Sequence, residues 1–166
     1  MTTSKTNSSL HELALMFLGR IPVEEDIPLA GSLDRAALDG SISSLALVDD
    51  YLQFVHENFE HLTETDYHNL ALRCGAYVGE CIRMTWPGMY DWMDYNDYVP
   101  LHQEAMVMLP ERVLGTCTLL LRNPDAFLLP VHRVLRFIHD GPANSVHHFA
   151  ICEHEHHKRP LEKLAP

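Results

Sequence analysis

The chain has 166 residues, of which 46% are hydrophobic and 21% are charged, and its formal net charge is −11. This length and composition are typical of one folded domain and exclude an intrinsically disordered protein. No apolar run approaches the roughly 18 residues of a membrane-spanning helix, and the excess of acidic residues disfavours binding to the phosphate backbone of nucleic acids.

The first residues, MTTSKTNSS, lack the basic and then apolar profile of a secretory signal. We therefore expect residues 1–9 to be a disordered tail and the protein to be cytoplasmic. Cys74 and Cys81 lie seven residues apart on one predicted helix, hence about 10.5 Å apart along its axis. A disulfide needs Cα atoms within about 7 Å of each other, so we expect buried free thiols, which suit a reducing compartment.

Apolar periodicity predicts two helices in the first third of the chain. The first covers about residues 10–18 and ends at Gly19, which suits the position after a helix. The second begins after Ser41, a suitable N-cap residue, and its apolar stripe runs from Leu45 to Phe59 at helical spacing.

A third helix is predicted over about residues 66–85, and Thr63 with Asp66 at its start resembles a capping box. Its interior contains Gly75 and Gly79, one turn apart. Each glycine costs about 1 kcal/mol relative to alanine within a helix. This cost indicates a packing reason, namely close approach of the second helix or of the sheet.

The second half of the chain shows strand and turn signals, followed by two more helices. The motif Arg122-Asn123-Pro124-Asp125 is a turn sequence between two strands, and Pro130 fits the first position of a helix. The predicted elements are strands at about residues 90–95, 113–121 and 126–129, a helix from Pro130 to Gly141, and a helix from about Asn144.

Runs of like elements predict an α+β fold, in which about five helices pack on a small antiparallel sheet of about three strands. We expect a single domain over residues 10–150 and a polar, His-rich extension over residues 151–166. The expected core residues are Leu45, Val48, Leu52, Val55, Leu70, Cys74, Val78, Cys81, Val131, Val134, Leu135, Ile138 and Phe149.

Four segments form an ordered series: SLALVDDYL at 44–52, LRCGAYVGECIR at 72–83, the aromatic strand at 90–95 and FLLPVHRVLRFIHDGPANSV at 127–146. The series resembles small bacterial domains of unknown function, in which a Gly-Ala-Tyr-x-Gly-Glu helix leads into a Trp-bearing strand. The resemblance covers roughly residues 32–150 and implies an α+β fold in a bacterial protein. Some small acidic bacterial proteins of similar build act as immunity partners of toxins.

The segment over residues 90–98, which includes the predicted first strand, combines aromatic side chains with carboxylates. Aromatic anchors and steering charges are typical of protein interfaces. We expect a non-catalytic acidic binding or regulatory protein with a basic protein as partner, and a homodimer is left open. The alternative is that Trp92 fills the core and the aspartates keep an edge strand soluble. The predicted contact residues are Tyr90, Asp91, Trp92, Asp94, Tyr95 and Asp97.

An enzyme, for example a small hydrolase, is the first alternative function. The chain has no nucleophile elbow, phosphate-binding loop or His-Glu-x-x-His motif. Glu80 and Arg83 lie three residues apart on the third helix and can pair, with Arg73 on the same side. A structural ion pair explains these residues as well as a catalytic acid does.

A metal-binding module is the second alternative, because imidazole and thiolate are ligands that zinc prefers. The candidate ligands are His148 with Cys152 and His154 with His157. Only neighbouring pairs can chelate one ion, since ligands on three successive turns span about 11 Å. A solvated polar helix end explains the same residues, and we expect no bound cofactor.

Overall fold

The computed structural model describes residues 5–123 and 126–158, and within them it contains six helices and a three-stranded antiparallel sheet. The α+β prediction is therefore confirmed. No helix in this part of the chain is long and apolar enough to cross a membrane. The elements are α1 (Lys5–Phe17), α2 (Leu45–Glu57), α3 (Glu64–Thr85), β1 (Asp91–Asp94), α4 (Tyr95–Tyr98), β2 (Thr118–Asn123), β3 (Ala126–Leu128), α5 (Pro130–Asp140) and α6 (Val146–Lys158), with the sheet order β1-β2-β3.

The long helix α3 lies at the centre of the fold and packs against α1, α5 and α6. It begins at the predicted capping box: Asp66 N donates to Thr63 Oγ1 over 3.1 Å, and Thr63 N donates to the Asp66 carboxylate over 2.9 Å. These bonds satisfy two backbone donors near the helix start. Between residues 70 and 82 every residue except Leu72 is buried, so α3 contributes to the core on all its sides.

Gly75 and Gly79 permit two close approaches to α3. A Cβ atom at Gly75 would lie 2.6 Å from Val131 Cα in α5, and a Cβ atom at Gly79 would overlap the indole ring of Trp92 in β1. The predicted packing reason for these glycines is confirmed, and the sheet is one of the two neighbours. The helix that approaches is α5 rather than the predicted second helix.

The sheet is covered on both faces. Trp92 of β1 pairs with Leu120 of β2, and both side chains belong to the main core beside α3. The neighbouring Leu119 points into a smaller second core that includes side chains from residues 98–109. The chain between α4 and β2 therefore packs on the second face, an arrangement that the sequence pattern does not indicate.

Several element boundaries differ from the sequence prediction: Tyr95, predicted at the end of the first strand, begins α4, and three differences are larger. Helix α1 begins at Lys5, so part of the predicted tail over residues 1–9 is helical. Strand β2 begins at Thr118, five residues later than predicted. Helix α6 continues to Lys158 and therefore crosses the predicted domain boundary at residue 150.

The hairpin and the last two helices follow the predicted order. Strand β2 continues through Arg122 and Asn123 of the predicted turn, and residues 124 and 125 lie outside the described residues. Helix α5 begins at Pro130 and is followed by Gly141, whose φ of +82° is a left-handed conformation that favours glycine.

The predicted core is largely correct. Leu135 and Phe149 are partly exposed, whereas the other predicted core residues are buried. Cys74 and Cys81 are buried free thiols, as their helical spacing predicts.

Candidate partner-binding surface

Tyr90 and Trp92, two of the three aromatic residues of the predicted contact strand, are buried, and each is 1% exposed. The indole N–H of Trp92 donates to Glu80 Oε1 over 3.0 Å, and the Tyr90 hydroxyl group donates to Glu153. Because both side chains lie inside the folded domain, a partner cannot reach them. Tyr90 and Trp92 are therefore not part of the contact surface. They stabilise the domain behind it.

The three predicted carboxylates are accessible to different degrees. Asp91 and Asp97 are exposed, and the Asp94 side chain is 31% exposed. Asp91 accepts a hydrogen bond from Asn7 Nδ2 over 2.8 Å, which ties α1 to the outer edge of the sheet. Asp94 accepts from Asn96 N over 2.8 Å and thereby caps α4. Contacts within the domain therefore hold the Asp91 and Asp94 side chains.

The chain that follows α4 exposes apolar side chains. Leu101 is 80% exposed, Val107 is 86% exposed and Met108 is 73% exposed. Three large apolar side chains that are more than 70% exposed within eight residues are a candidate interaction site. We call the five exposed members the apolar segment: Leu101, Met106, Val107, Met108 and Val113.

Two contacts hold the apolar segment beside the carboxylates. The hydroxyl group of Tyr95, which is half-buried, donates to the Leu109 carbonyl over 3.0 Å. Arg112 Nη2 lies 3.4 Å from Asp94 Oδ2. Sequence reasoning missed this segment because the run AMVML at 105–109 fits neither helical nor strand periodicity, although an uninterrupted apolar run outside any predicted element was itself a signal.

Glu80 is a buried carboxylate with three side-chain partners. Arg83 Nε donates to it over 2.7 Å, Trp92 Nε1 donates over 3.0 Å, and His11 Nδ1 lies 2.9 Å away. Burial alone would raise the pKa of Glu80, but the hydrogen bonds from Arg83, His11 and Trp92 together outweigh burial and hold that pKa below its usual value. Glu80 therefore joins α1, α3 and β1 through one charge.

Arg73 does not join this ion pair, although it lies on the same helix. Its side chain is buried, and Nη1 donates to the Glu25 carbonyl over 2.8 Å. A buried guanidinium group that donates to a loop carbonyl fixes that loop on α3. We therefore assign Arg73 to the fold and not to the surface.

The four candidate metal ligands occur in two different environments. His148 Nε2 and Cys152 Sγ lie 3.4 Å apart on the exposed face of α6. His154 and His157 both pack on the Trp86 ring, with centroid distances of 5.4 Å and 4.7 Å. Within residues 5–123 and 126–158 no three His, Cys, Asp or Glu side chains are grouped so that they could hold a metal ion.

We expect EDTA to leave the melting temperature of the untagged protein unchanged. A structural zinc site has four protein ligands and contributes directly to folding free energy, whereas His148 and Cys152 supply only one pair. Differential scanning calorimetry with and without EDTA, on protein purified without a metal resin, measures this. A fall of many degrees on chelation would contradict the expectation, and zinc added back afterwards would identify the ion.

The chain matches no protein-family model, no curated protein and no solved structure. The exposed carboxylates around β1 and the neighbouring apolar segment are the features that most resemble an interface.

Proposed function

We propose that this protein is a non-catalytic, acidic binding protein and that its partner is a basic protein. The contact surface consists of Asp91, Asp94, Tyr95 and Asp97 together with the apolar segment. The observation that carries the proposal is a highly exposed apolar segment, which the Tyr95–Leu109 and Arg112–Asp94 contacts tie to the carboxylate-bearing chain of a protein with net charge −11.

The two parts of this surface would act at different stages of binding. Carboxylates attract a basic partner over roughly a Debye length, about 8 Å at physiological salt, and so raise the association rate. Apolar side chains lose their contact with water in the complex and so slow its dissociation. Leu101 and Val107, which are among the most exposed apolar residues, are suited to the second role.

Replacing Asp91, Asp94 and Asp97 together by Asn should slow association at least tenfold in low salt, because three attractive charges are removed. Asn keeps the acceptor oxygen that Asn7 and α4 use, so the fold should be preserved. The probe is an amphipathic peptide of lysine and leucine, and surface plasmon resonance at 20 and 300 mM NaCl measures the rates.

The matched control is D34N/D50N/E60Q, which removes the same charge from exposed positions outside the surface. If the net charge of the whole protein determined the association rate, both triple variants would associate equally slowly. The proposal requires the Asp91/Asp94/Asp97 variant to be the slower one, and Val107→Ser to increase the dissociation rate. Association that neither salt nor either triple variant changes would refute the proposal, and sedimentation of the protein alone would detect pairing of two copies through the same segment.

A basic toxin is one partner class that fits both this surface and the resemblance to small bacterial proteins. Immunity proteins commonly cover a basic surface of a toxin with a complementary acidic one, and such charge pairs speed association. A gene for a small basic protein beside this one would identify the candidate. Cells that the basic protein prevents from growing should then grow when this protein is co-expressed. The Asp91/Asp94/Asp97 variant should restore growth less well.

Hydrolysis is a second candidate function, because His11 is oriented by the buried carboxylate of Glu80 at 2.9 Å. The pair lines a cavity of about 220 Å³, and a His–carboxylate pair is part of many hydrolytic sites. Burial raises the pKa of Cys81, which also lines the cavity, to about 12, so this thiol is a poor nucleophile at pH 7. Turnover of p-nitrophenyl acetate that His11→Gln abolishes, at unchanged stability, would favour the enzyme.

A further inference from the structure

A second concave site lies beside β3, between the first half of α5 and helix α6. Its volume is about 390 Å³, within the range of small-molecule sites. Phe127, Leu129 and Phe149 supply apolar and aromatic walls, and His132, Arg133 and Arg136 line the same cavity. Aromatic walls with a few convergent polar groups are typical of ligand sites.

The basic residues make this cavity unusual for the protein. The chain has 12 Lys and Arg against 23 Asp and Glu, yet two arginines and one histidine meet within two turns of α5. Arg133 stacks its guanidinium group 5.0 Å from the centroid of the Phe149 ring. In the part of the chain that the structure describes, no carboxylate lies within ion-pairing distance of Arg133.

Arg136 has a carboxylate partner that an incoming anion can replace. Its Nε atom lies 2.5 Å from Asp140 Oδ2, one turn further along α5, but the two side chains are 55% and 48% exposed. Such exposed pairs contribute little to stability. Arg136 can therefore turn towards the cavity at small cost.

His132 reports the local electrostatic environment. Its pKa is lowered, first by burial and then by the positive charges of Arg136 and Arg133. This lowering shows that His132 lies in the positive field of the two guanidinium groups that line the cavity. The positive potential here has the opposite sign to that of the proposed partner surface.

We propose that this cavity binds a small aromatic anion, in which a carboxylate or phosphate group pairs with Arg133 and Arg136 and an aromatic ring lies against Phe127 and Phe149. A guanidinium group offers a planar pair of donors that matches both anions. The cavity is large enough for one or two fused rings. This site is separate from the proposed function, and Met108 is the one residue of the apolar segment that also lines it.

The test uses the full chain with 2-naphthoate, and with 2-naphthyl phosphate to distinguish the two anions. Titration followed by ¹H–¹⁵N spectra should shift the amide signals of Leu129, Arg133 and Phe149. The neutral isostere 2-naphthalenemethanol should bind at least tenfold more weakly, because it cannot form a charge-assisted pair. Equal binding of the neutral isostere would overturn the proposal.

The matched variants are Arg133→Gln and Arg20→Gln, since both remove one positive charge and Arg20 is an exposed residue outside the cavity. Arg133→Gln should weaken 2-naphthoate binding about tenfold, whereas Arg20→Gln should change it less than twofold. Equal effects of the two variants would refute the proposal. Should Arg133→Gln fail to fold, the wild-type shifts decide: signals that move elsewhere than around α5 and Phe149 refute it.

Discussion

Replacing Gly75 by Ala should lower the free energy of unfolding by about 2 kcal/mol. The new Cβ atom would lie 2.6 Å from Val131 Cα and 2.9 Å from Val131 N, so the backbones of α3 and α5 would have to separate. Overpacking of a core costs roughly 1–3 kcal/mol and occasionally more. Alanine returns about 1 kcal/mol through its helix propensity, but a backbone contact cannot relax by rotation of a side chain.

Urea unfolding followed by circular dichroism measures this change, and Gly31→Ala is the matched control. No atom lies within 4 Å of a Cβ at Gly31, so this variant should stay within about 0.5 kcal/mol of the wild type. The double variant G75A/V131A, which also shortens the Val131 side chain, should restore little stability. The closest contact of the new Cβ atom is with the Val131 backbone. Wild-type stability of Gly75→Ala would show that α5 does not pack on α3 at this point.

Local features of the fold could be predicted from the sequence because their partners are close along the chain. Thr63 and Asp66 are three residues apart, and their capping box forms as predicted. Gly75 also indicated close packing, but its neighbour Val131 lies in a helix 56 residues later. Nothing in the local pattern distinguishes α5 from α2 as the helix that approaches.

The surface was harder to predict because strand alternation does not say which face is covered. Trp92 could have been an anchor or a core residue, and only the position of α3 decides that it is core. The end of α6 is a second case in which the sequence pattern did not show which residues are buried. Its polar, His-rich sequence suggested a solvated tail, yet Glu153 is buried and bonded to Tyr90 and Arg122, which lie 63 and 31 residues away in sequence.

Glu80→Gln should lower the free energy of unfolding at pH 7 by about 3 kcal/mol, which makes it the largest effect we expect from a single isosteric change. Glu80 is 5% exposed, and removal of its charge leaves the Arg83 guanidinium group without its ion-pair partner. Removing one partner of a buried ion pair costs about 3–5 kcal/mol, and here only Glu80 is buried, since the Arg83 side chain is 21% exposed. Glutamine keeps an acceptor oxygen for Trp92, so the cost should lie at the lower end.

The difference between the wild type and Glu80→Gln should also depend on pH in a defined direction. Because the folded-state pKa of Glu80 is held below its usual value, its charge stabilises the fold fully above the unfolded pKa of about 4.3. That contribution is lost as the pH falls through the folded pKa, where the wild-type residue becomes a neutral acid. Urea unfolding at pH 7, 5 and 3.5 should therefore show a smaller difference at pH 3.5 than at pH 7.

The control for this pH series is Glu12→Gln, which removes a carboxylate from an exposed position on α1. Its unfolding free energy should stay within about 0.5 kcal/mol of the wild type at every pH. A Glu80→Gln difference that stayed constant down to pH 3.5 would mean that shape and hydrogen bonding, rather than charge, are what Glu80 contributes. A difference that shrinks in acid, with Glu12→Gln unaffected, would show that one buried charge holds α1 and β1 against α3, directly behind the carboxylates of the proposed surface.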